Sequence, residues 1–244
     1  MDIKTKVITL SAKEKGEADK LVTFFSADFG VISATVKGAR KQGAKLSACT
    51  FSFAFSEVVL VEKSGFYTVT ACDLIEPFFE ISSDFDSFEK ASACLELTSY
   101  LSHGNIEPQP VFILLLQTLK NMCYKHGDGK VIFLNYLFDM IGFAGYRLNL
   151  SLAEKLIASK GYAFINLENG QIISSFTPEM LTAKITPSEL ELLKDLTVVS
   201  VSDIEELSLK YKGNRDVDIV FSWGKVLSEN LMGHKYKSFF DIDL

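Results

Sequence analysis

Over residues 3–76 the apolar positions fall in short runs, rich in β-branched residues and bounded by Gly, Asp and Ser. That pattern predicts strands at 6–12, 20–26, 31–36, 50–61 and 66–74. Turn chemistry separates them: Asp28-Phe29-Gly30 lies between the second and third, and Lys63-Ser64-Gly65 between the last two. One short helical insert fits residues 44–49. Five short strands with such an insert predict a small Greek-key barrel of the OB type, with an SH3-like barrel as the alternative. Glu76-Pro77 closes this part.

From there the period changes to three and four. Phe85, Phe88, Ala91, Cys94, Leu95, Thr98 and Leu101 mark one helix face, capped by Asp86 with Glu89 and stopped at Gly104. Pro108 and Pro110 start a second helix that ends near Gly127, and a third spans about 130–143. Capping boxes are expected at Ser151–Glu154, Thr186–Glu189 and Ser202–Glu205. Between the first two, residues 162–167 and 171–175 flank Asn169-Gly170, the dipeptide that favours a type I′ hairpin turn. A last helix over 216–232 holds the sole Trp, Trp223, and residues 233–238 form a basic tail. The fold class expected is α+β: an N-terminal five-stranded OB-type β-barrel at 1–79, then an α-helical domain at 80–244 with a small β-hairpin insertion at about 148–180.

The chain has 244 residues, 48% hydrophobic, with 20 Phe and a net charge of -6. An acidic chain does not coat nucleic acid by bulk charge. The charge is uneven, however. Residues 1–80 hold ten basic and ten acidic side chains, so the remainder carries the whole excess. From Phe29 to Ser56 there is no Asp or Glu, while Lys37, Arg40, Lys41 and Lys45 sit in the Gly-punctuated run Val36-Lys37-Gly38-Ala39-Arg40-Lys41-Gln42-Gly43-Ala44-Lys45. Such a loop suits a polyanion, because flexible cations and accessible backbone N–H groups hold phosphates. It equally suits a solvated surface loop that lacks acids. Phe24, Phe53 and Tyr67 could stack on bases, but alternating rings on a small barrel normally point inward.

Little here nominates an enzyme. There is no G-x-S-x-G, P-loop or H-E-x-x-H pattern, and Gly127-Asp128-Gly129 reads as a helix–helix turn. His103, His126 and His234 adjoin helix-end glycines, and Asp84/Asp86 and Asp241/Asp243 read as solvated pairs. Cys49, Cys72, Cys94 and Cys123 lie too far apart for a C-x-x-C site and read as buried thiols of a reducing compartment. No signal-peptide layout and no apolar run of about 20 residues is found, so a soluble, cytoplasmic protein is expected.

The order of motifs carries a resemblance. Val7-Ile8-Thr9-Leu10, then residues 16–26, then Phe29-Gly30-Val31-Ile32 and Val36-Lys37-Gly38-Ala39-Arg40-Lys41, resemble the N-terminal domain of the bacterial RecO family of recombination and repair mediators. Phe133-Leu134-Asn135-Tyr136-Leu137 with Gly142-Phe143 and Gly145-Tyr146 looks like the family's central helix. Residues 231–238 look like its C-terminal segment. The resemblance implies a non-catalytic protein that binds single- and double-stranded DNA and anneals complementary strands. It implies RecR, in some settings RecF, and the C-terminal tail of single-strand-binding protein as partners, and help in loading RecA; no membrane is involved. The DNA contacts it implies are Lys37, Arg40, Lys41 and Lys45, with Lys20, Lys235 and Lys237 beside them. An alternative is an adaptor that meets DNA only within a RecR/RecF complex.

Three departures stand out. Many relatives hold zinc through Cys pairs in the insertion, but residues 148–180 contain no Cys or His, so no metal or other cofactor is expected and the Asn169-Gly170 hairpin must hold the insertion by itself. Ala44 and Ser52 stand where Ser and Pro are usual. Phe239 stands where Arg commonly follows the Lys-Ser pair.

Overall fold

The computed structural model describes residues 2–102 and 106–239; the Gly104 stop, His103 and the Asp241/Asp243 pair lie outside them. Strands β1 (Asp2–Lys15), β2 (Asp19–Ser26), β3 (Gly30–Val36), β4 (Phe55–Lys63) and β5 (Phe66–Glu76) close into a barrel of order β1-β2-β3-β5-β4. This is the OB-type barrel, closed by a short parallel pairing of Ala34–Val36 with Tyr67–Val69. Its interior holds Val22, Phe24, Ala34, Val36, Val58 and Leu60, all fully buried.

β1 is longer at both ends than the sequence pattern suggests. It serves two partners, pairing through Asp2–Ile8 with β4 and through Val7–Lys15 with β2, with a register shift between Thr9 and Ser11. A bulge bends and twists a strand, which lets one strand belong to both sides of a small barrel. The same irregularity overturns the expected start of β4 at residue 50. The helical insert expected at 44–49 is a 3-10 helix at residues 45–50 and takes in Thr50, and Phe53 takes a positive φ of 72° with its ring buried. The Thr9 backbone fixes this detour: its N–H donates to the Ala54 carbonyl and its carbonyl accepts from Phe53 N–H, each at 3.0 Å.

Among the described residues seven α-helices follow: α1 (Phe85–Leu101), α2 (Pro108–Tyr124), α3 (Gly129–Phe143), α4 (Leu150–Lys160), α5 (Pro187–Val198), α6 (Ile204–Lys210) and α7 (Arg215–Met232). α3 is the axis. Every residue from Val131 to Phe138 is buried, and α1, α2, α5, α6 and α7 pack around it. A helix apolar on all sides needs such enclosure. Among the described residues no helix is long and apolar enough to cross a membrane.

Several expected caps shift. Asp84, not Asp86, caps α1, accepting from Ser87 N–H at 3.0 Å, while Asp86 pairs with Lys90 one turn on. Asn149 caps α4 in place of Ser151, and α6 starts after Asp203 with no side-chain cap. The Thr186–Glu189 box forms in both directions. Phe85 and Phe88, expected on the core face, are 61% and 37% exposed; Phe88 turns to the barrel, where it meets Phe53 and lines a cleft with Leu95.

The insertion is more than a hairpin. β6 (Ala163–Asn166) pairs with β7 (Ile172–Ile173) and also with β8 (Thr182–Ile185), giving the order β7-β6-β8. The turn is not type I′, since Gly170 has φ +75° but Asn169 has no positive φ. Nor does the turn hold the insertion by itself. Ala163, Ile165, Ile172 and Ile185 are buried in the main core, and Asn230 of α7 donates to the Leu167 carbonyl at 2.8 Å.

Barrel and helices share that core. Phe24 points into the barrel, whereas its neighbour Phe25 points out and stacks on Phe112 of α2 at 6.5 Å, with Phe55 edge-on to the same ring at 5.8 Å. Phe53 meets Phe88 of α1 at 5.8 Å. Strand alternation thus supplies two apolar surfaces from one sheet.

Candidate nucleic-acid interface

The outer face of β1-β2-β3 follows from register. Ser11 lies opposite Thr23 and Thr23 opposite Ser33; Lys13 lies opposite Leu21 and Leu21 opposite Thr35; Lys15 lies opposite Asp19. Cross-strand partners share a face, so these residues form a hydroxyl-and-lysine surface on the reverse of Val22, Phe24 and Ala34. Lys13 and Lys15 are exposed, and Lys15 Nζ donates to Thr35 Oγ1 at 2.9 Å. Lys13 and Lys15 lie beyond the strand expected at 6–12, and the alternation of Lys13-Glu14-Lys15 is the sequence signal that carries β1 on to them.

The basic loop is fastened to this face at one end. Gly38 has φ +65°, a conformation that favours glycine, and its N–H donates to Asp19 Oδ1 at 2.8 Å. Arg40 N–H donates to the Ala18 carbonyl at 2.9 Å, and its guanidinium reaches the Gly16 carbonyl at 3.1 Å and Glu14 at 3.2 Å. The turn between β1 and β2 therefore holds the loop beside the Lys13–Lys15 strand end. Lys37, Lys41 and Lys45 are exposed, with no ion-pair partner among the described residues. Arg40 does have one, but Glu14 is 68% exposed at its side chain, and such pairs contribute about 0–1 kcal/mol. A phosphate can displace it.

The remaining expected contacts separate. Lys20 has the strand parity of Val22 and Phe24, so it turns toward the barrel end, where Nζ donates to Thr50 Oγ1 at 3.2 Å. It is not on the lysine face. Lys235 and Lys237 are exposed in the tail after α7. Lys237 lines a cleft of about 430 Å³ between barrel and α1, together with Lys13, Ser11, Thr23, Ser52 and Tyr100. Its backbone N–H donates to the Glu96 carboxylate at 3.0 Å, which fixes the tail there. Phe239 packs edge-on against Phe133, Phe221 and Tyr236 at 5.0–5.7 Å. Where an arginine would offer charge, Phe239 anchors the tail in the core, leaving Lys235 and Lys237 as its exposed cations.

Phe24 and Phe53 are core residues, and Tyr67 is half-buried against the barrel core. The exposed barrel rings are Phe66 at the β4–β5 turn, 75% exposed, and Phe29 and Phe51. No group of three His, Cys, Asp or Glu among the described residues could hold a metal ion.

Residues 1–78 match the family described as Recombination protein O N terminal. The DNA repair protein RecO of Acetivibrio thermocellus is 36% identical over 122 residues, covering half of this chain and 47% of that protein. Longer similarity runs to the DNA repair proteins RecO of Caldicellulosiruptor bescii, 26% identical over 84% of this chain and 83% of the relative, and of Dehalococcoides mccartyi, 28% identical over 88% and 85%. The N-terminal barrel matches the RecO family, and similarity to RecO proteins runs over most of the chain. Within the RecO match at residues 1–78 lie the whole barrel, the lysine face and the basic loop; Lys235 and Lys237 fall outside it.

Proposed function

We propose that this chain acts in DNA repair and recombination by binding single- and double-stranded DNA along the outer face of β1-β2-β3, and that it anneals complementary strands. The observation that carries this reading is the set of exposed cations Lys13, Lys37 and Lys41, gathered where the β1–β2 turn fastens the basic loop, with Arg40 ion-paired to Glu14 beside them. The step is electrostatic. Lysines neutralise phosphates, condensed counterions leave, and the hydroxyls of Ser11, Thr23 and Ser33 hydrogen-bond phosphate oxygens. Lys237 extends the track into the cleft beside α1, and the neutral barrel keeps affinity modest and salt-sensitive. No metal is needed for this binding, and the insertion is held by its own sheet and the core.

RecR, RecF and the acidic tail of single-strand-binding protein are the partners this reading expects, with loading of RecA on coated DNA as the outcome. A second reading, an adaptor that contacts DNA only inside such a complex, draws support from the Arg40–Glu14 pair and the acidic helical part. The test is titration of fluorescent single-stranded DNA into the purified chain at two salt concentrations. Changing Lys37, Arg40 and Lys41 to Ala should weaken binding about 10-fold or more and lower the salt slope by about 2, at roughly 0.7 per phosphate contact. Unchanged binding sinks the loop contact, and binding seen only after adding RecR favours the adaptor.

A further inference from the structure

Two thiols meet at the end of the barrel that carries Lys45. Cys49 lies on the 3-10 helix Lys45–Thr50 and is fully buried. Cys72 lies on β5 directly across from Val58, whose side chain is in the barrel core, so Cys72 turns inward as well while staying only half-buried. Both belong to one small cluster with Val58, Leu60 and Val69, and the 3-10 helix packs on β5. Within this cluster the neighbouring Cys49 thiol favours the Cys72 thiolate, aided by Ser56 and opposed by burial. Cys49 itself is pushed up by Cys72 and by burial. The Cys49 thiol donates to the Leu46 carbonyl at 3.1 Å.

The other two cysteines behave differently. Cys94 is enclosed in α1, where burial raises its pKa. Cys123 on α2 is pushed up to about 11 by burial and by the Glu80 carboxylate 3.3 Å away. Thiolate character and access decide which cysteine oxidises, and both single out Cys72.

We propose that Cys49 and Cys72 form a reversible disulfide on exposure to a hydroperoxide, making the end of the barrel beside the basic loop a modification site. The Cys72 thiolate attacks the peroxide O–O bond. A sulfur–oxygen bond forms, the O–O bond breaks, and the departing oxygen takes a proton to leave as water. The Cys49 sulfur then attacks the Cys72 sulfenic acid. The S–S bond forms, the S–O bond breaks, and hydroxide leaves as water with the Cys49 proton. Two thiols are oxidised and one hydrogen peroxide is reduced to two waters.

The test treats the full chain with stoichiometric hydrogen peroxide, alkylates it after denaturation and maps the peptides. The expected product is lighter by about 2 Da, links the Cys49 and Cys72 peptides, leaves Cys94 and Cys123 alkylated, and reverts with dithiothreitol. Cys49→Ser should stop at a Cys72 sulfenic acid that dimedone traps, and Cys72→Ser should give neither product. Oxidation of Cys72 to the sulfinic acid with Cys49 still free, a disulfide through Cys94 or Cys123, or four intact thiols would each overturn the proposal.

Discussion

The barrel and the helical part each hold paired and unpaired cations, and the contrast lies in where the unpaired ones gather. Lys4 and Arg40 are paired on the barrel, and Lys120, Lys155 and Lys212 have no ion pair among the described residues of the helical part. In the helical part Lys90, Lys125, Lys130, Lys194 and Lys210 each hold a carboxylate of the same chain. On the barrel, Lys13, Lys37 and Lys41 beside the β1–β2 turn, and Lys45 at the barrel end, hold none among the described residues, although residues 1–80 have as many acids as bases. Paired cations offer little to a phosphate, because binding must first release the carboxylate. Net charge therefore misleads here: what matters is where the unpaired cations lie and whether one surface gathers them. The backbone does the gathering, through strand parity for Lys13 and through Gly38 and Arg40 for the loop.

The two parts are nevertheless one structure, and the largest expected effect tests that. Phe112 is buried between Phe25, Phe55 and the helices. Phe112→Ala should cost about 3–5 kcal/mol of stability, the range for a truncated core aromatic. Urea unfolding followed by Trp223 fluorescence and by circular dichroism should lose its single shared transition. If both probes still coincide with little change in midpoint, the aromatic joint is not what couples barrel to helices.

A smaller effect separates the two parts by pH. Asp139 on α3 has its pKa pushed up to about 6 by burial, with Arg147 only partly compensating. The folded state therefore holds a proton that the unfolded chain has released between about pH 4 and 6, and stability falls as pH rises through that window. Asp139→Asn should flatten the decline and add about 1 kcal/mol at pH 7, a figure reduced for the solvent at its outer side. Thermal melts at pH 5 and pH 7 would check this; an equal decline in both proteins would remove Asp139 as the cause.

Much of the architecture was legible because its signals were local. β2, β3 and the β4–β5 turn followed from β-branched runs and Lys63-Ser64-Gly65, and the Thr186–Glu189 box needed only four residues. The misses came from tertiary demands. The helical insert at 44–49 was readable, but the detour at residues 51–54 that delays β4 is fastened by hydrogen bonds to the Thr9 backbone, a partner distant in sequence. Phe85 and Phe88 had helical spacing, but Phe85 lies at the exposed start of α1 and Phe88 turns to Phe53 of the barrel, a partner distant in sequence. β8 has only four residues and pairs across a long loop with β6, a contact that local pattern does not encode. For the candidate interface the loop itself was readable from Lys37, Arg40, Lys41 and Lys45. Its extension to Lys13 and Lys15 needed the strand register, and the separation of Lys20 from that surface needed its strand parity.

The most direct measurement compares two equal losses of positive charge. One variant replaces Lys13, Lys37 and Lys41 by Ala; the other replaces Lys125, Lys194 and Lys210, which are ion-paired in the helical part. Affinity for single-stranded DNA is then followed across a salt series. This account expects the first variant to lose about 2 from the slope of log affinity against log salt, at roughly 0.7 per phosphate, and the second to match the parent. Equal losses in both variants, or none in the first, would contradict it.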